Sequence, residues 1–326
     1  MKVLLTGAFG NIGLKTLDAL LDAGYSVRCF DLKTPANMKS CNKLSKYLQK
    51  NEAKASRCEI VWGDICNENT VRDISRSVDA VVHLAAIVPP LSEENEVLSH
   101  KVNVVATQNL LVATKESNPK ARFIFASSVG VYGYQDSNSL PKTAADPVHP
   151  VNAYGRQKVM CEELVKASGL EWIILRLGVC FDSKFALQAS LSTIRMQFSV
   201  RPEIRIEQVH PKDVALALAN AVSVKEAGNK ILLIGGGEEG RTTSGELTQS
   251  IFDVVGIHLP NSIYGQENFY TEWLDTSESQ RLLNYQRHTL SETVLELKRK
   301  LRFVNLLIFP LRAVAPHIFE RIIKSG

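Results

Sequence analysis

Apolar residues recur along the first half of this chain in short continuous runs, separated by stretches with helical spacing. Residues 2–6 read as a buried strand followed by a glycine-rich turn. Residues 12–23 carry apolar positions at the helical period, and Gly24 ends them. Further strands are predicted at 25–30, 59–62, 80–84, 122–126 and 172–177. Between them, 71–77, 93–117 and 152–168 read as helices, with Asn103 inside the second, whereas 33–57 read as a polar, Lys-rich connection with some helix. Residues 133–150 form a Gly/Pro/Ser-rich loop, and 179–208 show little pattern. A helix at 213–222, a strand at 230–234 and the loop Gly235–Gly237 follow, and the remainder is mainly helical.

Strands alternating with helices at this spacing imply parallel pairing through crossovers. The predicted fold class is therefore α/β, a doubly wound parallel Rossmann-type sheet with a smaller, mainly helical C-terminal substrate lobe. The expected division gives 1–178 plus about 206–234 to the dinucleotide-binding domain. About 179–205 plus 235–298 form the substrate lobe, and 299–326 form a basic apolar tail.

Composition narrows the function classes. The 326 residues are 45% hydrophobic and 22% charged with a net charge of +4, too little to suggest nucleic acid, so no nucleic-acid partner is expected. The six cysteines are scattered without a C-x-x-C pair, so neither a disulfide framework nor a metal site is expected and a reducing compartment is. No signal peptide and no membrane span are expected, which makes the predicted location cytoplasmic. The charge is uneven: from Arg287 to Gly326 eight Lys/Arg face three Asp/Glu. Basic residues 298–302 precede the apolar run 303–309, a pattern suited to peripheral membrane contact through 299–326 or to packing on the protein.

The turn Thr6-Gly7-Ala8-Phe9-Gly10-Asn11-Ile12-Gly13 sits between a strand and a helix. There Gly7 permits the tight turn, Gly10 lets backbone approach a pyrophosphate, and Gly13 lets helix and sheet pack closely. The helix N-terminus offers free N–H groups and partial positive charge to phosphates. Asp31 closes the second strand, where a carboxylate accepts adenosine ribose hydroxyls and repels a 2′-phosphate. NAD is favoured, and nearby Lys33 leaves NADP open. Asp64 and Ile65 are placed to contact the adenine, and Leu84, Ala85 and Ala86 to wall the cofactor.

Tyr154 and Lys158 are four residues apart, so on a helix they share a face. A free phenol ionises near pH 10; a neighbouring ammonium, aided by oxidised nicotinamide, is expected to bring it down. Tyr154 is then the acid/base toward a substrate hydroxyl or carbonyl, and Lys158 tunes it and binds the nicotinamide ribose. Ser127 and Ser128 follow the fifth strand, from where a hydroxyl can stabilise charge on the reacting oxygen.

On these residues the chain resembles an extended short-chain dehydrogenase/reductase of the NAD-dependent epimerase/dehydratase group. The likeness rests on Thr6 to Gly13, Asp31, Asp64-Ile65, His83 to Ala86, Asn103, Ser127-Ser128 with Val131-Tyr132-Gly133, Tyr154 to Lys158 and Arg176-Leu177. More loosely it extends through Val209 to Ala215 and through Trp273 to Ser277 with Leu282 to Tyr285, covering about residues 1–298. The resemblance implies Ser128 as the catalytic serine. Asn103, Ser127 and Leu177 join the cofactor site, Asn103 as support for the fold or a water chain near Lys158. Substrate contacts fall to Val88, Ser128, Val129, Tyr132, Gly178 and Val179. It also implies a homodimer through helices 93–117 and 152–168.

Two departures bear on the substrate. Val179 stands where nucleotide-sugar epimerases of the group carry Asn, and the lobe lacks an evident Arg/Lys cluster with aromatics. The segments Ile87–Leu91 and Leu177–Phe181 are apolar instead. The expected activity is an NAD(P)-dependent dehydrogenase/reductase that interconverts an alcohol and a carbonyl on a hydrophobic, lipid-, steroid- or aromatic-like small molecule. The alternatives are a sugar or nucleotide-sugar epimerase with tightly held NAD and a non-catalytic nucleotide-binding scaffold. No Asp-Glu pair stands beside Ser128, which disfavours dehydration.

Overall fold

The computed structural model describes residues 1–134, 140–188 and 190–302, together with Arg312 and Arg321; for Lys184, Phe185 and Gln188 it describes backbone only. Ten strands are described: β1 (Lys2–Thr6), β2 (Ser26–Asp31), β3 (Cys58–Trp62), β4 (Ala80–His83), β5 (Arg122–Ser128), β6 (Glu171–Leu177), β7 (Val179–Cys180), β8 (Arg205–Val209), β9 (Lys230–Ile234) and β10 (Arg241–Thr243). Seven form one sheet in the order β3-β2-β1-β4-β5-β6-β9, with every pairing parallel. The order reverses at β1, so the carboxyl ends of β1 and β4 diverge and open a crevice there.

Each face of this sheet is apolar and each is covered by helices. On one face Leu17, Leu20 and Leu21 of α1 (Asn11–Asp22) meet Val214, Ala217 and Leu218 of the helix Pro211–Ala221. On the other, Leu110 and Leu111 of α2 (Ala106–Ser117) and Cys161 and Val165 of α3 (Ala153–Ala167) pack on Phe123 and Phe125. This is why the strands read as unbroken apolar runs rather than alternating ones.

Two stretches differ from their sequence expectation, and a third, 33–57, carries the helix expected for part of it. The single helix expected over 93–117 is divided into Leu91–Glu94, Glu96–His100, a wide π-helical turn Lys101–Val105 and α2. The Asn103 carbonyl at that turn accepts from the Thr107 hydroxyl at 2.6 Å and the Cys161 thiol at 3.0 Å, which diverts it from an ordinary helical ladder. The polar connection 33–57 contains the helix Pro35–Leu48, started by Thr34, whose hydroxyl accepts the Asn37 N–H. Only Leu48 of that helix is buried, so its period was invisible in the apolar pattern. The unpatterned stretch 179–208 and the loop beyond β9 supply β7, β8 and β10, a second sheet of order β10-β8-β7 that adds strands to the mainly helical lobe. No described helix is long and apolar enough to cross a membrane. Of the tail, 303–311, 313–320 and 322–326 lie outside the described residues.

Candidate active site

The phosphate turn is fixed by sterics. Gly7 has φ +67°, and a methyl group on Gly13 would stand 2.1 Å from the Gly7 carbonyl oxygen. Gly10 caps α1 without any side-chain bond to its first N–H groups, the arrangement an anion requires. Gly7 and Gly10 line a cleft of 390 Å³ with Asp31, Asp64, Ile65, Leu84, Ala85 and Ala86 among its walls. Phe9 does not line the cleft. Its ring stacks on Trp62 at 4.7 Å, and its N–H donates to Asp31 Oδ2 at 2.9 Å. Ile12 packs against the core, and Asn11 Oδ1 accepts from Lys15 Nζ at 2.7 Å. Asp31 Oδ1 accepts from the Leu32 N–H and from Asn37 Nδ2 at 3.0 Å. Burial pushes the Asp31 carboxyl up against these bonds. Asn37, which the sequence reading passed over, thus orients the carboxylate.

The wall formed by Leu84 and Ala85 is held by His83. Thr107 spends its only proton on the Asn103 carbonyl, so His83 Nε2 must donate to Thr107 Oγ1, 2.8 Å away. His83 Nδ1 then accepts from the Thr6 hydroxyl at 2.7 Å, whose oxygen is left to accept the Leu84 and Ala85 N–H groups. His83 is fully buried near Lys158, and both push its ring well down, to about 3. Its folded-state value lies below the free value, so the unfolded chain binds the extra proton first. Stability present at neutral pH is therefore lost as pH falls from about 6.5 toward 3, by about 1.4 kcal/mol per pH unit. His83→Gln should flatten this part of the acid-unfolding curve; an unchanged slope counts against a neutral His83.

Several expected site residues are engaged within the protein. Asn103 is 3% exposed and spends its amide on the Ile87 N–H and carbonyl and on Gln157, so it pins the Ile87 backbone, a supporting role. Ser127 turns its hydroxyl away from the crevice to Glu162 Oε1 at 2.6 Å. Tyr132 is 1% exposed, donating to the Thr143 carbonyl and accepting from Arg176, so no face is left for a substrate. Val129 and Leu177 are likewise buried in apolar clusters. Val88 is exposed, while Gly178 and Val179 are half-buried.

Tyr154 and Lys158 do come together on α3. Asn152 caps this helix by accepting the Gly155 N–H, and Glu93 accepts the N–H groups of both Ala153 and Tyr154 at 2.9 and 3.1 Å. Glu93 was invisible in sequence because it lies sixty-one positions away. Lys158 Nζ donates to the Ala126 carbonyl at 2.7 Å and lies 5.5 Å from the Tyr154 ring centre. Burial lowers Lys158 to about 8. The Tyr154 ring is half-buried, and among the described residues its hydroxyl has no hydrogen-bond partner. Contrary to the expected lowering, burial pushes this phenol up, with Cys180 and Tyr270 adding to it. Ser128 Oγ accepts the Gly130 N–H at 3.1 Å, starting the short turn Val129–Tyr132. Tyr270, from the small lobe, packs over Gly130 beside that oxygen; nothing in its sequence surroundings marked it. None of Ser128, Tyr154 and Lys158 is among the residues lining the 390 Å³ cleft, which holds the turn-side half of the crevice.

A family model for the NAD dependent epimerase/dehydratase family matches residues 3–182. The chain belongs to this family. That family is named for its dependence on NAD. Among its family relatives, D-erythronate dehydrogenase of Haemophilus influenzae is 38% identical over 110 residues, 32% of this chain and 34% of that protein. D-erythronate dehydrogenase of Cupriavidus necator is 29% identical over 244 residues, 69% of this chain and 72% of that one. UDP-glucose 4-epimerase of Lactobacillus helveticus is 31% identical over 183 residues, covering 54% and 51%. The chain thus spans only a third to a half of two of these three relatives. Among solved structures, a short-chain dehydrogenase/reductase superfamily protein from Agrobacterium tumefaciens with bound NAD shares the fold at TM-score 0.74 and 21% identity, covering 96% of this chain and 100% of that one. A dTDP-glucose 4,6-dehydratase from Streptomyces venezuelae shares it at TM-score 0.76 and 23% identity, covering 93% and 97%.

The family segment Val209 to Ala215 meets residues 287 and 288 in the fold. Asp213 Oδ2 accepts the Arg287 and His288 N–H groups, and its Oδ1 lies 2.6 Å from His288 Nδ1. His210 stacks on His288 at 4.3 Å while its Nδ1 accepts the Lys212 N–H. The cluster has metal-ligand residue types, yet its carboxylate oxygens already have partners and its stacked rings direct their lone pairs along parallel planes. The lobe also holds an arginine–aromatic cluster that the sequence reading did not find: Arg205 and Arg241 lie 4.3 and 5.9 Å from the Trp273 ring centre. The residues are dispersed in sequence and meet only through β8 and β10.

Proposed function

We propose that this family member is a dehydrogenase/reductase that interconverts an alcohol and a carbonyl, with Tyr154 as acid/base, Lys158 as its tuning cation and Ser128 as the oxyanion donor. The observation that carries the reading is the Tyr154 hydroxyl. It is unpartnered among the described residues, held beside a buried ammonium, and placed at the carboxyl edge of a parallel sheet.

The residues fit NAD. The cleft is floored by glycine, and the uncapped start of α1 suits a pyrophosphate. Gly7, Gly10, Asn11, Ile12 and Gly13 would hold it through backbone. Asp31, oriented by Phe9 and Asn37, would accept the ribose hydroxyls, and Asp64, Ile65 and Leu84 to Ala86 would wall the ring systems. NAD remains the proposed coenzyme over NADP because the carboxylate repels a 2′-phosphate. When bound, it supplies the acceptor or donor of a hydride. In alcohol oxidation the Tyr154 phenolate, its charge offset by Lys158, takes the hydroxyl proton and becomes the neutral phenol. Ser128 donates a hydrogen bond to the substrate oxygen as charge builds there. Cys180 and Tyr270, neighbours that act on the Tyr154 phenol, give it weakly polar surroundings that favour a hydrophobic alcohol or carbonyl.

An epimerase is the second reading, favoured by the Arg205–Trp273–Arg241 cluster, which has the chemistry to grip a nucleoside diphosphate. Both arginines already face acids: Arg205 faces Glu272 at 3.6 Å and Arg241 faces Glu207 at 3.4 Å. The domain division remains 1–178 with about 206–234 against about 179–205 with 235–298. A second copy of the chain is the proposed partner, across the exposed Val97, Val105, Val112 and Met160. The nucleotide in freshly purified protein separates the readings. A dehydrogenase yields an empty or exchanging site that reduces added NAD with hydrophobic alcohols. Stoichiometric NAD that survives dialysis, with turnover of nucleotide sugars alone, overturns it.

A further inference from the structure

Tyr154, Lys158 and Glu162 stand at successive four-residue steps of α3 and so form one ladder on its face. The third rung has no part in the chemistry above, yet it is 1% exposed and fully engaged. Glu162 Oε1 accepts the Ser127 hydroxyl at 2.6 Å and Arg176 Nε at 2.9 Å, and its Oε2 accepts Arg176 Nη2 at 2.7 Å. Arg176 Nη1 in turn donates to the Tyr132 hydroxyl at 2.8 Å. Ser127 precedes Ser128, and Tyr132 ends the turn that Ser128 caps. One buried carboxylate therefore brackets the proposed serine from both sides. It also ties β5 to the helix that carries the other two groups. The peptide neighbour of Ser127 on its other side is Ala126, whose carbonyl receives Lys158 Nζ.

We propose that Glu162 is a positioning residue of this site. It locks the Ser128 strand end to the Tyr154/Lys158 helix and sets a carboxylate, tethered by Arg176, one helical turn from Lys158. This rests on the functional reading above. A charge that is buried and paired is costly to maintain and gains little stability over an apolar pair, so a non-structural role is the economical explanation for keeping it here. The groups that face Lys158 are Tyr154, Cys161 and Glu162 on its own helix, His83 from β4, and the Phe125 ring and Ala126 carbonyl from β5. Arg176 of β6 acts through Glu162. Burial lowers Lys158, and among these groups Cys161 and Glu162 oppose that.

The test follows the Lys158 ε-amine by carbon NMR of lysine-labelled protein through a pH titration, with Lys158→Met identifying the resonance. Two variants move the charge in opposite senses. Glu162→Gln leaves Arg176 unopposed and should lower the Lys158 midpoint by about one pH unit, and Arg176→Gln leaves the carboxylate unopposed and should raise it. Midpoints that stay in place, or that move alike, overturn the proposal. If one variant fails to fold, the sign of the other decides. The same samples, given NAD, report Tyr154 through its near-ultraviolet phenolate absorbance against Tyr154→Phe. Loss of that signal with opposed Lys158 shifts refutes the acid/base role while leaving the positioning role standing.

Discussion

Replacing Tyr154 with Phe is expected to lower turnover by about 10²–10⁴-fold while leaving NAD affinity within about twofold. The substitution removes one oxygen that has no partner among the described residues, so the fold should not register its loss. The N–H bonds from Ala153 and Tyr154 to Glu93 are backbone bonds and persist. Initial rates with NAD and a hydrophobic alcohol, together with the quenching of protein fluorescence by NAD, measure the two halves of this expectation. Retained turnover removes Tyr154 from the chemistry. A parallel loss of NAD affinity would instead make it a binding residue.

The second large effect is expected at Gly13. A methyl there would stand 2.1 Å from the Gly7 carbonyl oxygen and 2.8 Å from the Ala8 carbonyl carbon, both backbone atoms of the phosphate turn. The turn cannot yield cheaply, because Gly7 sits at φ +67° tight against the Leu84–Ala85 backbone. Gly13→Ala should therefore cost about 3 kcal/mol of stability. If the turn shifts to relieve the clash, NAD binding should weaken about a hundredfold. Thermal unfolding and NAD titration check both. A variant that melts and binds as the parent does would mean that helix α1 can slide on the sheet at little cost.

Much of this was legible in the sequence, and the reason is local. The turn from Thr6 to Gly13, the carboxylate closing β2 and the Tyr154/Lys158 pair are each set by a few adjacent positions whose spacing carries the geometry. The buried strands announced themselves because both faces of a parallel sheet are apolar. What escaped depends on contacts between distant segments. Glu93 reaches the start of α3, Asn37 folds back on Asp31, and Tyr270 arrives beside Ser128 from the other lobe. Side-chain direction was equally hidden. Ser127 and Ser128 look alike as neighbours after an apolar run, but β5 extends through both and successive strand residues point to opposite faces. Ser127 therefore goes to Glu162, and Ser128 to the turn that starts at Val129. Asn103 and Tyr132 belong to the resembling motifs, yet burial turns both into supports for backbone that lies nearer the crevice.

The same reasoning explains why the phenol does not match its sequence expectation. Lys158 directs its ammonium to the Ala126 carbonyl and stands 5.5 Å from the Tyr154 ring centre, while burial acts on the hydroxyl unopposed. On the proposed function, the oxidised nicotinamide adds positive charge to that of Lys158, which would couple proton readiness to coenzyme binding. The decisive measurement is the phenolate absorbance of Tyr154, taken as wild type minus Tyr154→Phe across pH, without and with NAD. Without NAD, Tyr154 is expected to ionise above the ordinary tyrosine range, and with NAD below it. Ionisation that stays above that range after NAD has bound would contradict a catalytic phenol at this site.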